Sequence, residues 1–310
     1  MTVSLPRVYA GRFQHREWVS QLDAACAEWG CFYLLEHGVD AHVLRSFQEV
    51  STAFFNQPKS DKLRIERSAE NVWGYYDQEL TKNRRDWKEI FDVGPPATAG
   101  PLAGSEPQWP DQPGDFRAVV ELVYVALQSV ALELLSGISE ALGMPPQALD
   151  DGFRHDASSF LRLNHYPPCA APEANLGISP HTDAGAVTVL VHDEQPGLEF
   201  LYRGEWQPVA PVDDAFVVNI GDIVQVWSND RYRAPEHRVR AHADSHRYSA
   251  PFFLNPSYTT DYAPLDSLLR AEAPKYKPIN WGRFRAGRAA GDYADAGEEI
   301  QITQFRYDAQ

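Results

Sequence analysis

Apolar and polar positions alternate with two different periods along this chain, and the change of period divides it. From Glu17 to Trp29 apolar side chains recur at helical spacing, at Trp18, Leu22, Ala25 and Trp29, and Gly30 supplies a stop. Phe32-Tyr33-Leu34-Leu35 then reads as a strand. From Ala41 to Asn56 a second helix places Val43, Leu44, Phe47, Val50 and Phe54 on one stripe and ends before Pro58. Residues 94–114, rich in Pro, Gly and small side chains, read as a loop. Phe116 to Leu142 predicts a long amphipathic helix whose stripe is Leu122, Val125, Leu127, Val130, Leu132 and Leu135, closed by Gly143 and Pro145-Pro146.

From about Ser158 to about Leu254 the period falls to two. The strand-like runs are 159–166, 186–191, 197–200, 206–209, 216–222, 224–227 and 237–239, separated by Gly, Pro and Asp turns. With the apolar run Tyr248 to Phe253, eight short antiparallel strands predict a jelly roll with a site in its mouth. The expected fold is therefore mixed α and β, with a double-stranded β-helix core, N-terminal helices and a supporting long helix. A helix is expected near Leu265 to Ala271, followed by a charged and aromatic tail from Lys275 to Gln310. Residues 1–110 are expected to cover the barrel and residues 111–310 to form its core and tail, as one integrated unit.

Composition narrows the class. With 310 residues, 44% hydrophobic and 12% aromatic, the chain buries a substantial core. A net charge of −15, from 28 basic and 43 acidic residues, argues against a nucleic-acid surface. Three cysteines, Cys26, Cys31 and Cys169, cannot all pair, which suits a reducing cytoplasm. Met1 to Arg7 lacks a charged and apolar leader, and no apolar run approaches the roughly 20 residues of a membrane span, so no membrane segment is expected. Nothing in the sequence requires an oligomer, and a monomer suffices.

The candidate chemistry sits in the second half. His181 and Asp183 are spaced i, i+2, so a strand end points both to one side, and His237 follows from a separate strand. Two imidazoles and one carboxylate fill one face of an octahedral metal and leave three positions open, the arrangement of non-haem Fe(II) oxygenases. Arg247 and Ser249 repeat the i, i+2 spacing and combine a guanidinium fork with a hydroxyl, a receptor for a carboxylate. A buried arginine inside the apolar run Tyr248 to Phe253 calls for an anionic partner, which a keto acid supplies. Asn164 and Tyr166 share one face of the strand before the triad and offer hydrogen bonds to that co-substrate, while His165 points the other way and His192 reads as structural. A second His-x-Asp, His242-Ala243-Asp244, reads as a solvated hairpin turn. Catalytic zinc is the rival ion, disfavoured because no Glu stands beside the ligands as in HExxH.

These pieces occur in one order: Arg162-Leu163-Asn164 with Tyr166-Pro167-Pro168, His181-Thr182-Asp183, Gly197-Leu198, Val218-Asn219-Ile220-Gly221-Asp222, Trp227-Ser228-Asn229, His237-Arg238-Val239, Arg247-Tyr248-Ser249 and Phe252-Phe253. So ordered, Leu161 to Pro256 resembles the catalytic core of the isopenicillin-N-synthase-like 2-oxoglutarate/Fe(II) dioxygenases. Trp29 to Tyr33, His37-Gly38-Val39, Gly74-Tyr75-Tyr76 and Asp86-Trp87-Lys88-Glu89 extend the resemblance over nearly the whole chain. It implies Fe(II) on His181, Asp183 and His237, with 2-oxoglutarate and O2 as co-substrates. A small molecule would be hydroxylated, desaturated or cyclised, with release of succinate and CO2. Two alternatives stay open at this point: an Fe(II) oxidase that uses no 2-oxoglutarate, and a metal-free ligand-binding jelly roll. Phe200, Leu190 and Val239 are expected to line the barrel, and Trp73, Tyr75, Tyr76 and Phe91 to cover its mouth. The chain departs from the family at Arg233-Ala234-Pro235-Glu236, where a serine and apolar residues are commoner, so an altered approach to His237 is expected.

Overall fold

The computed structural model describes residues 4–11, 16–68, 70–81, 84–96, 103–270, 272–293 and 300–307. Strand β1 (Arg7–Tyr9) and helix α1 (Arg16–Glu28) lead into β2 (Cys31–Leu35), α2 (Ala41–Phe55) and the short α3 (Lys59–Lys62). Strands β3 (Gly74–Tyr76), β4 (Leu80–Thr81), β5 (Arg84–Arg85) and β6 (Glu89–Val93) precede the long α4 (Phe116–Ala141) and the single turn α5 (Asp151–Arg154). Next come β7 (Phe160–Tyr166), β8 (Leu176–His181), β9 (Val187–His192), β10 (Leu198–Tyr202), β11 (Glu205–Pro208) and β12 (Phe216–Ile220). After α6 (Asp222–Trp227) follow β13 (His237–Arg240), β14 (Arg247–Leu254), β15 (Asp261–Tyr262), β16 (Ile279–Asn280) and α7 (Trp281–Tyr293).

Two sheets carry the architecture. The larger has eight strands in the order β1-β2-β12-β9-β14-β7-β6-β3, and the smaller has four, β11-β10-β13-β8. Alternation in the strands splits the core accordingly. One face of the large sheet packs on the helices through a cluster that includes Phe54, Phe91, Val120, Leu127, Leu134 and Phe252. Between the sheets lies a smaller cluster with Tyr33, Tyr166, Leu198, Phe200, Val217 and Val239. Each such fully buried apolar side chain contributes about 1.5–3 kcal/mol. Helix α2 begins where Asp40 Oδ1 accepts from His42 N at 2.7 Å.

The structure differs from several local expectations. The buried face of α4 is formed by Phe116, Val120, Val123, Leu127, Val130, Leu134, Leu135 and Ile138, while Leu122 and Val125 are 53% and 61% exposed. The helix is so rich in apolar residues that its sequence fits more than one stripe. By length and composition α4 also qualifies as a membrane-crossing helix, with mean hydropathy 1.8, against the expectation of no such segment, yet its buried face packs on α1, α2, β9 and β14. Residues 224–227 belong to α6, not to a strand: the amides of Gly221, Asp222 and Ile223 bond back to Ala186, Asp183 and Gly185 and turn the chain out of the sheet. Residues 266–270 form turns, with Leu268 N bonding Leu265 O three residues back; Ala271 lies outside the described residues. The tail contains α7, which its Gly and Arg content concealed.

Candidate active site

Strand pairing brings three candidate metal donors together between the two sheets. His237 on β13 lies directly opposite His181 on β8, and their ring centroids are 4.3 Å apart. Asp183 follows the end of β8, and its Oδ1 lies 3.7 Å from Nε2 of each histidine. The three donor atoms lie within 4.8 Å of one another, and this is the cluster of that kind among the described residues.

Each donor is aimed by a neighbour. His181 Nδ1 donates to Ser179 O at 2.8 Å and His237 Nδ1 donates to Pro235 O at 3.2 Å, so both Nε2 lone pairs face the centre. Pro235, where the chain departs from the family, thus serves the ligand through its carbonyl and needs no N–H. Asp183 Oδ2 accepts from Thr188 Oγ1 at 2.5 Å and Asn219 Nδ2 at 2.8 Å, leaving Oδ1 for a metal. Burial, then the neighbouring His237, push His181 down to about 3, so its ring is neutral and ready to ligate. Burial alone would raise Asp183, but His237, His181 and the two hydrogen bonds hold its carboxyl below the usual range. A Cβ at Gly221 would lie 2.7 Å from Asp183 O and 2.3 Å from Gly185 O, so only glycine allows the close approach that supports this turn.

The second cluster rests on the β14/β7 register. Arg247 pairs with Tyr166 and Ser249 with Asn164, which puts all four side chains on one face. Arg247 is 2% exposed, its Nη1 lies 3.3 Å from Ser249 Oγ, and its Cζ sits 5.1 Å from the centre of the Tyr166 ring. Arg247 Nε and Asn164 Oδ1 are buried without hydrogen-bond partners. A buried guanidinium with orphaned polar atoms fits an anionic, hydrogen-bonding ligand. His165 faces away, its Nδ1 2.7 Å from Glu89 and its Nε2 2.8 Å from His246. His192 is opposite Ser249 and bonds Asp193 O at 2.8 Å through Nδ1.

Both clusters line one cavity of about 170 Å3, together with Leu190, Phe200 and Val239 as expected. A larger groove of about 400 Å3 along α2 lacks the metal-binding set. Trp73, Tyr75, Tyr76 and Phe91 do not line the active cavity: Trp73 packs 6.0 Å from Phe160, Tyr75 OH bonds Glu89 at 2.6 Å, and Phe91 is core. Their place is taken by Glu79, Leu80, Thr81 and Lys88. Lys88 Nζ lies 2.6 Å from Glu79 and 3.3 Å from Asp86. Burial opposes its charge, but those carboxylates raise it above the ordinary lysine value. Arg162 continues the Asn164, Tyr166 face of β7 at i, i+2 spacing, a signal present in the sequence, and bridges Glu79 at 2.8 Å and Asp92 at 2.7 Å. From α7 come Trp281, Arg285 and Arg288. The second His-x-Asp lies elsewhere: His242 Nε2 is 2.9 Å from Pro196 O, and Asp244 is exposed in the bend before β14.

Comparison with known proteins agrees with this geometry. The sequence profile of the 2OG-Fe(II) oxygenase superfamily matches residues 157–256, and that of the N-terminal region described as non-haem dioxygenase in morphine synthesis matches residues 3–112. The chain is 34% identical to oxoglutarate-dependent flavonoid 7-O-demethylase 1 of Ocimum basilicum, over 87% of this chain and 72% of that protein. It is 32% identical to gibberellin 2-beta-dioxygenase 5 of Oryza sativa subsp. japonica, over 97% and 87%. The crystal structure of JOX2 in complex with 2OG, Fe and JA superposes with a TM-score of 0.82 at 28% identity, covering 92% of this chain and 84% of that one. The chain belongs to the 2OG-Fe(II) oxygenase superfamily. It is an oxidoreductase that works with Fe(II) and 2-oxoglutarate.

Proposed function

We propose that His181, Asp183 and His237 hold Fe(II), and that Arg247 and Ser249 receive the far carboxylate of 2-oxoglutarate with Asn164 and Tyr166 beside it. The two facing sheets act as the double-stranded β-helix that carries both clusters. The observation that carries this reading is the convergence of three donor atoms within 4.8 Å in the cavity that also contains the buried Arg247. With 2-oxoglutarate and O2, bound Fe(II) supplies the oxidising power to attack a C–H bond, with release of succinate and CO2.

The protein's own part is positioning. Ser179 and Pro235 carbonyls fix the imidazole tautomers, and Thr188 and Asn219 orient the carboxylate. Arg247 offers a rigid fork that selects a planar carboxylate. Phe160, Pro251 and Phe253 wall the cavity with apolar surface and exclude water from the reacting bond. The substrate is a small molecule, oxidised by hydroxylation, desaturation or cyclisation. The relatives named for flavonoid demethylation and gibberellin oxidation support that size class.

One chain supplies every group, so a monomer suffices, with residues 1–110 and 111–310 working as one unit. Three free, buried cysteines fit a reducing cytoplasm. Succinate release from 2-oxoglutarate, measured with Fe(II) and a panel of small organic molecules, tests the reading. Stimulation by a panel member is the expected result; a protein that consumes no 2-oxoglutarate under any condition would overturn it.

A further inference from the structure

Strand β8 ends at His181 and lies at the outer edge of the four-stranded sheet. Its inner edge pairs with β13, and that pairing is irregular just before the ligand. His237 is opposite His181 and Val239 is opposite Ile178, so three steps along β8 match two along β13. The extra residue makes a β-bulge at Ser179-Pro180, where the ladder that would fix the backbone is interrupted. Pro180, which has no N–H to give, fits that interruption. The direction of this stretch still matters, because Ser179 O accepts from His181 Nδ1 at 2.8 Å.

Among the described residues, the outer edge of β8 pairs with no strand and is met by the short segment between β5 and β6. Trp87 N donates to Leu176 O at 2.9 Å, and Ser179 N donates to Asp86 Oδ1 at 3.2 Å. Both Ser179 and Asp86 are buried, so this amide depends on that one carboxylate in place of water. The second oxygen of Asp86 is also engaged: it accepts from Thr81 Oγ1 at 2.7 Å and lies 3.3 Å from Lys88 Nζ. Thr81 and Lys88 line the active cavity. One buried carboxylate therefore joins the cavity wall to the irregular stretch that precedes His181.

We propose that Asp86 is a positioning residue for the iron ligand His181: it holds the bulge through Ser179 N, and the Ser179 carbonyl in turn aims the imidazole. An aspartate suits the place because one oxygen serves the backbone amide while the other takes a hydroxyl and an ammonium. The assignment rests on the oxygenase reading of the triad and adds a residue that touches neither metal nor substrate.

The test measures Fe(II) affinity by anaerobic competition against a chelator in wild type, Asp86→Leu and Asp86→Asn. Leucine fills the space and removes the acceptor, whereas asparagine keeps an oxygen for Ser179 N. Both variants lose the charge beside Lys88, so the acceptor is what separates them. Asp86→Leu should bind Fe(II) about tenfold more weakly and Asp86→Asn within about threefold of wild type, the lower end of what outer partners of a metal ligand contribute. The dissociation constant for 2-oxoglutarate, titrated without O2 at saturating Fe(II), should hold in both, because Arg247 and Ser249 stand on another strand. If Asp86→Leu does not fold, the double variant Asp86→Leu, Lys88→Met removes the cation together with the carboxylate and carries the same expectation. The proposal is overturned if the leucine variant binds Fe(II) as wild type does, if asparagine is as weak as leucine, or if both constants shift together. A wild type that binds no Fe(II) would instead strike the oxygenase reading beneath it.

Discussion

Asn219 on β12 holds the Asp183 carboxylate from outside: its Nδ2 lies 2.8 Å from Asp183 Oδ2, the oxygen that Thr188 also bonds. That leaves Oδ1 turned toward both imidazoles. Partners of this kind are worth about 10–100-fold in metal affinity, so Asn219→Ala should weaken Fe(II) binding by roughly that factor with the fold retained. Anaerobic competition against a chelator reads the constant directly, and an unchanged constant would remove Asn219 from the account.

Arg247→Lys separates charge from geometry. Lysine keeps a cation but loses the fork, so the apparent affinity for 2-oxoglutarate should fall about 10–100-fold, while Fe(II) affinity holds. The KM for 2-oxoglutarate checks it, and a KM within error of wild type would assign Arg247 another partner.

Gly177 has a role that its lack of a side chain hides. A Cβ there would lie 2.7 Å from Tyr166 Cδ1 and 2.9 Å from Val239 Cγ1. Gly177→Ala should push the Tyr166 ring from beneath Arg247 and destabilise the fold by about 1–3 kcal/mol, as overpacking does. The KM for 2-oxoglutarate should rise more than the Fe(II) dissociation constant. Equal changes in both would mean general disruption instead.

Acid should loosen the iron-free protein through His181. Its folded-state value is pushed down to about 3, chiefly by burial. An unfolded chain takes up that proton near about 6.5, so between these values the unfolded state binds more protons and stability falls as pH falls. A His181→Gln variant should show a shallower loss from pH 7 toward pH 4, by up to about 1.4 kcal/mol per pH unit. Denaturant unfolding of both iron-free proteins measures the difference, and parallel slopes would contradict it.

What the sequence made legible, and what it hid, has a physical basis. His181, His237, Arg247, Ser249, Asn164 and Tyr166 sit on strands and Asp183 just past the end of β8, so period two showed which neighbours share a face, and strand pairing brings the sets together. The Arg162 position obeyed the same rule but carried no recognised role. Lys88 and Glu79 were hidden because their place depends on how β4 and β6 lie against β7 and β8. Helix α7 was hidden because three glycines and an Arg-rich face weaken its apolar period. The α4 stripe is ambiguous in sequence because an apolar excess satisfies more than one helical face, and only packing on α1 and α2 chooses between them.

The central claim is that His181, Asp183 and His237, and not the similar His242 and Asp244, hold the iron. Anaerobic titration of the iron-free protein with Fe(II) tests it most directly, in wild type, Asp183→Ala and the double variant His242→Ala, Asp244→Ala. Wild type and the double variant should bind Fe(II) alike at a single site, and Asp183→Ala should lose most of that affinity. Tight binding retained in Asp183→Ala, or lost in the double variant, would contradict the assignment.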